Sequence, residues 1–239
     1  MGDLISGTMR SLLAVAVVVT ACSHNRPVTA QAPAEAALLA AAGGWRILDL
    51  GSFRGYDSEG VPKGWHTVSE TGEFAKAGPV ADLMSKDQFA NFELELEWKI
   101  GKGGNSGVFY RATHEYDHIY WSGPEYQLLD DEFHPDGLDP KTSAASAYAL
   151  YAPPKGVVKP HDQWNTTRIV VNGAHVEHWL NRKKVVEYEL WSPDWKARVA
   201  ASKFAAYPDY GMAKRGYIGI QGDHDGPLAI RNIRIRELP

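Results

Sequence analysis

The sequence predicts an all-β protein, a sandwich or jelly roll of short strands. Three observations predict it. Apolar and polar residues alternate with a period of two in one short run after another from Arg46 to Arg236. Those runs are punctuated by turn residues, glycine (23 copies) and proline (14 copies) foremost. No sustained helical periodicity competes with them, apart from a turn or two over 193–204. Many short, evenly punctuated strands belong to sandwiches and jelly rolls rather than to parallel α/β sheets.

The first element of the chain is a targeting segment. Arg10 precedes the apolar run 12–19, and Val19-Thr20-Ala21 leads to Cys22. A basic residue, a short apolar run and small residues before a cut describe a secretory signal over 1–21. The run is too short for a typical membrane-spanning helix. Cys22, the single cysteine, stands where a bacterial lipobox places its lipidated thiol. The competing reading is an ordinary signal peptide with an incidental cysteine. On the lipobox reading the mature protein contacts membrane through the lipid on Cys22 only. Ser23 after it, rather than Asp, fits outer-membrane sorting and hence a bacterial cell-envelope lipoprotein. Met9 offers a tidier leader than Met1. With one cysteine, no disulfide forms within the chain. Residues 22–44 are rich in Ala and Pro, end in Gly43-Gly44, and read as a linker to one domain over 45–239. The formal charge of −4 carries no basic footprint for nucleic acid. The oligomeric state is not written in the sequence.

Within the domain the expected strands are 46–50, 81–85, 92–100, 106–111, 126–129, 166–171, 176–180, 185–188, 217–221 and 230–236. The run 176–185 reads as a hairpin whose tight turn uses Asn181, a residue that tolerates left-handed backbone. Loops over 113–122 and 131–147 are long and polar and flank the Glu125 strand, and 200–214 is irregular. Long loops beside a rigid sheet are where function tends to sit.

Two strands carry the chemistry. In the first, Asn105, Gly107, Phe109 and Arg111 share a face opposite Ser106, Val108 and Tyr110. In the second, Glu125 and Gln127 oppose Tyr126 and Leu128. An arginine, a carboxylate and amides thus converge on one sheet surface, with glycine leaving room beside them, which outlines a site for a polyhydroxylated ligand.

The motifs Asn105-Ser106-Gly107 with Arg111, Gly123-Pro124-Glu125-Tyr126-Gln127 with Asp130, Trp164-Asn165, Trp179-Leu180-Asn181, Gly219-Ile220-Gln221 and Arg231-Asn232-Ile233-Arg234-Ile235 follow in order. Together they resemble the 3-keto-disaccharide hydrolase family, associated with lyase and hydratase activity on 3-keto-glucosides, over about Trp45 to Leu238. The resemblance implies a concanavalin-like jelly roll with a sugar-binding concave face and a 3-keto sugar as ligand. Two departures stand out. The hairpin turn is Asn181-Arg182 where the family usually has Asn-Gly, and Gln221-Gly222-Asp223-His224-Asp225-Gly226 carries extra residues around His224.

Cleavage of a 3-keto-glycoside needs a base for the C2 proton, an acid for the C1 oxygen, and positive charge or donors at the enolate oxygen. Arg111 suits the donor role, unless it is spent on an ion pair with Glu125. Glu125 suits acid or base duty if burial raises its pKa. Asn105, Gln127 and Gln221 offer amide groups for sugar hydroxyls. The cluster Asp130-Asp131-Glu132-Phe133-His134 supports three readings: His134 as a general base, Asp130, Asp131 and His134 as ligands of a divalent cation, or a solvated acidic loop. Asp130 matches the family's aspartate. Tyr120, Trp121 and Tyr148 are candidate platforms for a pyranose face, and His224 is a further candidate beside Gln221. No dinucleotide-binding glycine fingerprint is present. Two alternatives remain open at this stage. One is a non-catalytic carbohydrate-binding module. The other is a laminarinase-like glycosidase using Glu93 and Glu97, against which Glu93, Glu95 and Glu97 read as a solvated sheet face.

Overall fold

The computed structural model describes residues 43–68 and 72–239. The signal segment 1–21, Cys22, the linker up to residue 42 and the choice between Met1 and Met9 lie outside the described residues. Among the described residues, no helix is long and apolar enough to cross a membrane.

The chain forms a jelly roll of two antiparallel sheets. Its strands are β1 (Arg46–Ile47), β2 (Phe53–Gly55), β3 (His66–Val68), β4 (Glu73–Lys76), β5 (Leu83–Phe89), β6 (Phe92–Ile100), β7 (Asn105–Ala112), β8 (Glu125–Leu129), β9 (Asn165–Asn172), β10 (His175–Leu180), β11 (Lys183–Glu189), β12 (Gly216–Ile220) and β13 (Leu228–Glu237). The larger sheet runs β11-β10-β9-β6-β13-β4-β3, with β1 also paired to β13. The smaller runs β2-β5-β12-β7-β8. The expected strands all lie on observed ones, although the first shortens to β1 before a 3-10 turn at Leu50–Ser52. β2, β3 and β4 are additions to the expected set.

Alternation explains the packing. Phe92, Leu94, Leu96, Trp98 and Ile100 of β6 are buried and share one cluster with Val108, Tyr110, Tyr126 and Leu128 of the smaller sheet. That cluster fills the space between the sheets. β7 departs from one-sided burial, since all its residues are buried. Phe109 and Ala112 pack on its outer side with Tyr56, Met84 and Ile119 in a second cluster. The helical signal is real: α1 (Pro193–Ala200) starts at Ser192, whose Oγ accepts from the Trp195 amide at 3.1 Å.

A polar chain crosses the core. His178 Nδ1 lies 3.0 Å from the Ala145 carbonyl, so it carries the proton, and Nε2 accepts from the Tyr110 hydroxyl at 2.8 Å. Tyr188 Oη in turn meets Tyr110 Oη at 2.5 Å. Full burial pushes the His178 imidazole down to about 4. This chain fastens the loop after β8 to β10.

The outer face of the larger sheet carries a ladder of ion pairs. Arg231 holds Glu97 at 2.7 Å and Arg234 holds Glu95 at 2.5 Å. Glu93 is bound by Arg236 and Arg168. Trp45, Trp164 and Trp179 lie against these guanidinium groups. This geometry corrects the laminarinase-like reading: Glu93 and Glu97 are both consumed by arginines.

The hairpin β10–β11 turns at Asn181 and Arg182, both left-handed at φ 48° and 68°. Two left-handed residues make the turn that matches strand twist, which is why Asn181 suffices without glycine after it.

Candidate active site

Pairing of β7 with β8 sets Gly107 opposite Gln127 and Phe109 opposite Glu125. The outer face of the smaller sheet therefore presents Asn105, Glu125 and Gln127 side by side. A Cβ on Gly107 would collide with the Glu125 carboxyl, so glycine there is a steric requirement. Gln221 follows β12 and is tied to this floor by its amide, which donates to the Gly107 carbonyl at 2.9 Å. Loops raise the walls: Tyr120 from the turn Ile119–Trp121, Asp136 from Pro135–Leu138, Tyr148, Lys203 from Lys203–Ala206, and His224. They enclose a cavity of about 100 Å³.

The loop carrying Tyr148 is bonded along β8 almost as an extra strand. Ala145 N donates to Gln127 O at 2.8 Å and Tyr148 N to Glu125 O at 3.1 Å. Ala145 and Ala149 adopt left-handed backbone at φ 67° and 62°, a strain that the surrounding bonds hold in place.

One hydrogen-bond chain runs under the floor. The Asp136 amide donates to His134 Nδ1 at 3.1 Å, which leaves the proton on Nε2. Nε2 lies 3.4 Å from the Asn105 side-chain amide. With both amides oriented so that each donor meets an acceptor, His134 donates to Asn105, Asn105 to Gln127, and Gln127 to Glu125 Oε1 at 3.0 Å and Ser106 O at 3.0 Å. Glu125 is the end of that chain.

Burial pushes the Glu125 carboxyl up to about 8. The Lys203 charge opposes that rise, while Asp82, Asp223 and Asp136 add to it. Lys203 makes no ion pair among the described residues. Its ammonium sits over aromatic rings instead, 4.4 Å from Tyr148 and 5.9 Å from Tyr120. Tyr148 donates to Asp136 Oδ2 at 3.1 Å. Burial lowers the His224 imidazole, with the Lys76 charge adding to the effect and Asp223 and Asp136 opposing it.

Of the residues expected at the site, the structure brings together Asn105, Glu125, Gln127, Tyr148, Gln221 and His224, with His134 behind Asn105. Arg111 is a correction. Its backbone is left-handed, at φ 50°, which breaks the alternation of β7 and swings the side chain to the end of the sandwich. There it donates to Ala90 O at 2.8 Å, Gly173 O at 2.8 Å and Asn91 Oδ1 at 3.2 Å. It staples two turns together and forms no pair with Glu125. Asp130 and Asp131 are also corrected, both as catalytic group and as metal ligands. Asp130 accepts from the amides of Gly103 at 2.7 Å and Glu132 at 3.3 Å. Asp131 accepts from that of Ala144 at 2.7 Å. These carboxylates shape the loop and do not converge with His134. Trp121 stacks on Tyr207 at 4.0 Å, behind the wall that Tyr120 presents. Lys203 and Asp136 are functional candidates that sequence reasoning missed.

Amides, a carboxyl and a phenol gathered on the outer face of one sheet define a jelly-roll domain with a polar site of the kind that suits a polyhydroxylated ligand. Comparison with known proteins narrows the class. The profile of the 3-keto-alpha-glucoside-1,2-lyase-like domain matches residues 44–236, and the chain belongs to this family. It is 36% identical over 217 aligned residues to the 3-keto-disaccharide hydrolase of Bacteroides thetaiotaomicron, covering 78% of this chain and 74% of that one. Among solved structures it is similar to a protein of Parabacteroides distasonis provisionally described as a glycosyl hydrolase, at 32% identity and TM-score 0.76, over 83% of this chain and 96% of that one. A second protein of that organism with the same description shares 27% identity at TM-score 0.56, over 78% of this chain and 99% of that one.

Proposed function

We propose that this protein is a carbohydrate hydrolase that cleaves 3-keto-glycosides by elimination at C1 and C2 followed by hydration. The family and the named relative support the substrate class. The observation that carries the chemistry is Glu125, a buried carboxyl raised to about 8 in the floor of the cavity. At neutral pH it holds its proton, while His224, lowered by burial, is a free base. The two groups therefore rest in complementary states, an acid and a base.

A ketone at C3 acidifies the hydrogen on C2. His224 removes that proton, the C–H electrons form the C2–C3 double bond, and the Lys203 ammonium holds the developing enolate oxygen. The enolate re-forms the ketone and expels the C1 oxygen, which takes the proton of Glu125 and leaves as an alcohol. Glu125, now a carboxylate, takes a proton from water as it adds to C1, and His224 returns its proton to C2. The net reaction is hydrolysis. Asn105, Gln127, Gln221 and the Tyr148–Asp136 pair hold the sugar hydroxyls.

The full chain is incubated with 3-keto-trehalose and with trehalose, and sugar release and enone absorbance are followed. Release from the keto sugar, absent from trehalose, is expected. Lys203→Met is expected to lower kcat about 100-fold. Release from trehalose at an equal rate, or binding without turnover, overturns the proposal.

A further inference from the structure

The loop 221–226 carries both Gln221 and His224 to the cavity, yet it contains two glycines and two aspartates and has no regular structure of its own. Two buried, oppositely charged side chains outside the cavity lining hold it. Lys76, on β4, is 2% exposed and its ammonium touches no carboxylate among the described residues. Instead it donates to the carbonyls of His224 at 2.7 Å, Gly226 at 3.1 Å and Gly78 at 3.4 Å. Asp82, just before β5, is 8% exposed and accepts from the Gly222 amide at 2.7 Å. The Val80 amide closes the same end by donating to Gly222 O at 2.9 Å. A cation thus grips the loop by its carbonyls and an anion grips it by an amide.

The Lys76 ammonium meets no carboxylate directly, although Asp223, Asp225 and Asp82 act on it from a distance, and its burial is costly to maintain when a methionine would fill the space. Uncharged side chains could also cap these backbone groups. What the charges add is a field at the cavity. The groups facing His224 are Asp223, His134, Lys76 and Asp136, and those facing Glu125 are Lys203, Asp82, Asp223 and Asp136. Lys76 disfavours a proton on His224, and Asp82 favours one on Glu125. Both act toward the resting states that an acid–base pair needs at neutral pH.

We propose that Lys76 and Asp82 are positioning residues: they clamp the 221–226 loop from opposite polarities, hold Gln221 and His224 at the cavity, and bring their opposite charges to bear on His224 and Glu125. The clamp is independent of turnover, but its value to catalysis rests on the function proposed above.

The test uses the full chain and two variants. Asp82→Asn keeps an oxygen for the Gly222 amide and removes the charge. It is expected to move the alkaline limb of kcat/KM down by roughly half a pH unit or more. Lys76→Met is expected to lower kcat/KM roughly 10- to 100-fold through misplacement of His224. It also raises the His224 pKa, read by imidazole NMR titration with the His224→Gln spectrum as assignment, and speeds amide exchange over 223–226. If Lys76→Met does not fold, Asp82→Asn decides. An unmoved limb in Asp82→Asn overturns the proposal, as does an unmoved His224 titration in folded Lys76→Met. If the wild type turns over no keto sugar, the limb of Asp82→Asn is replaced by the Glu125 carboxyl titration followed by carbon NMR. A shift there supports the clamp while the functional reading falls.

Discussion

The outer faces of the two sheets both present carboxylates, and they use them in opposite ways. On the larger sheet, Glu93, Glu95 and Glu97 each meet an arginine across the β6–β13 pairing. Hydrogen bonds from Asn232 and Arg231 hold Glu97 below the usual carboxylate range, outweighing the effect of its partial burial. On the smaller sheet, Glu125 is equally well placed by strand alternation but is buried beside amides, with Lys203 at a distance, and it rises to about 8. Alternation decides only which face a carboxylate occupies. Desolvation and the nearest cation decide whether it is a strut or a proton donor.

The sharpest way to break the comparison is to remove one carboxylate from each face. Glu125→Gln is expected to lower kcat about 1000-fold with ligand binding retained, as steady-state kinetics and calorimetry will show.

The same variant should also separate from wild type in its response to pH. The folded Glu125 pKa, about 8, lies above the usual carboxyl value of 4.5. The folded state keeps a proton that the unfolded state has lost, so this contribution to stability is complete below 4.5 and disappears as pH rises through 8. Urea unfolding at pH 6 and pH 9 should show Glu125→Gln gaining on wild type at the higher pH, by about 2 kcal/mol or more.

A smaller effect is expected from Gly107→Ala. The added methyl displaces the buried Glu125 carboxyl, so kcat/KM should fall about 30-fold and the unfolding midpoint should drop as well. The smallest is Glu95→Gln, whose half-exposed pair with Arg234 should cost under about 1 kcal/mol in urea unfolding and leave turnover unchanged.

Long alternating strands made most of the sandwich legible in the sequence, and they put Asn105, Glu125 and Gln127 on a common face. β2, β3 and β4 are three or four residues each, too short for a period to show, and Lys76 in β4 looks like a solvent residue while being buried. Arg111 misleads because a single left-handed residue ends the alternation that assigned its face. Asp130 and Asp131 lie just past β8, where turn geometry rather than strand period sets direction. Lys203 reaches the cavity from a 3-10 turn after α1, on a part of the chain with no motif to mark it. The one local sign was the irregular loop 200–214 that contains it.

The hairpin that ends the larger sheet has a consequence for how copies of this molecule meet. β11 is an edge strand with open backbone groups, and its outward positions are Lys183, Lys184, Glu187 and Glu189, beside a bulge between His178 and Trp179. At the opposite edge, β3 has only three residues. In the smaller sheet β2 is as short, and Ala147 bridges to Tyr126 along β8. Among the described residues, each border of the sandwich is thus charged, kinked, brief or covered, and none is a template for another strand. Crowded molecules can press against one another by their faces, but they are not invited to grow into a shared sheet.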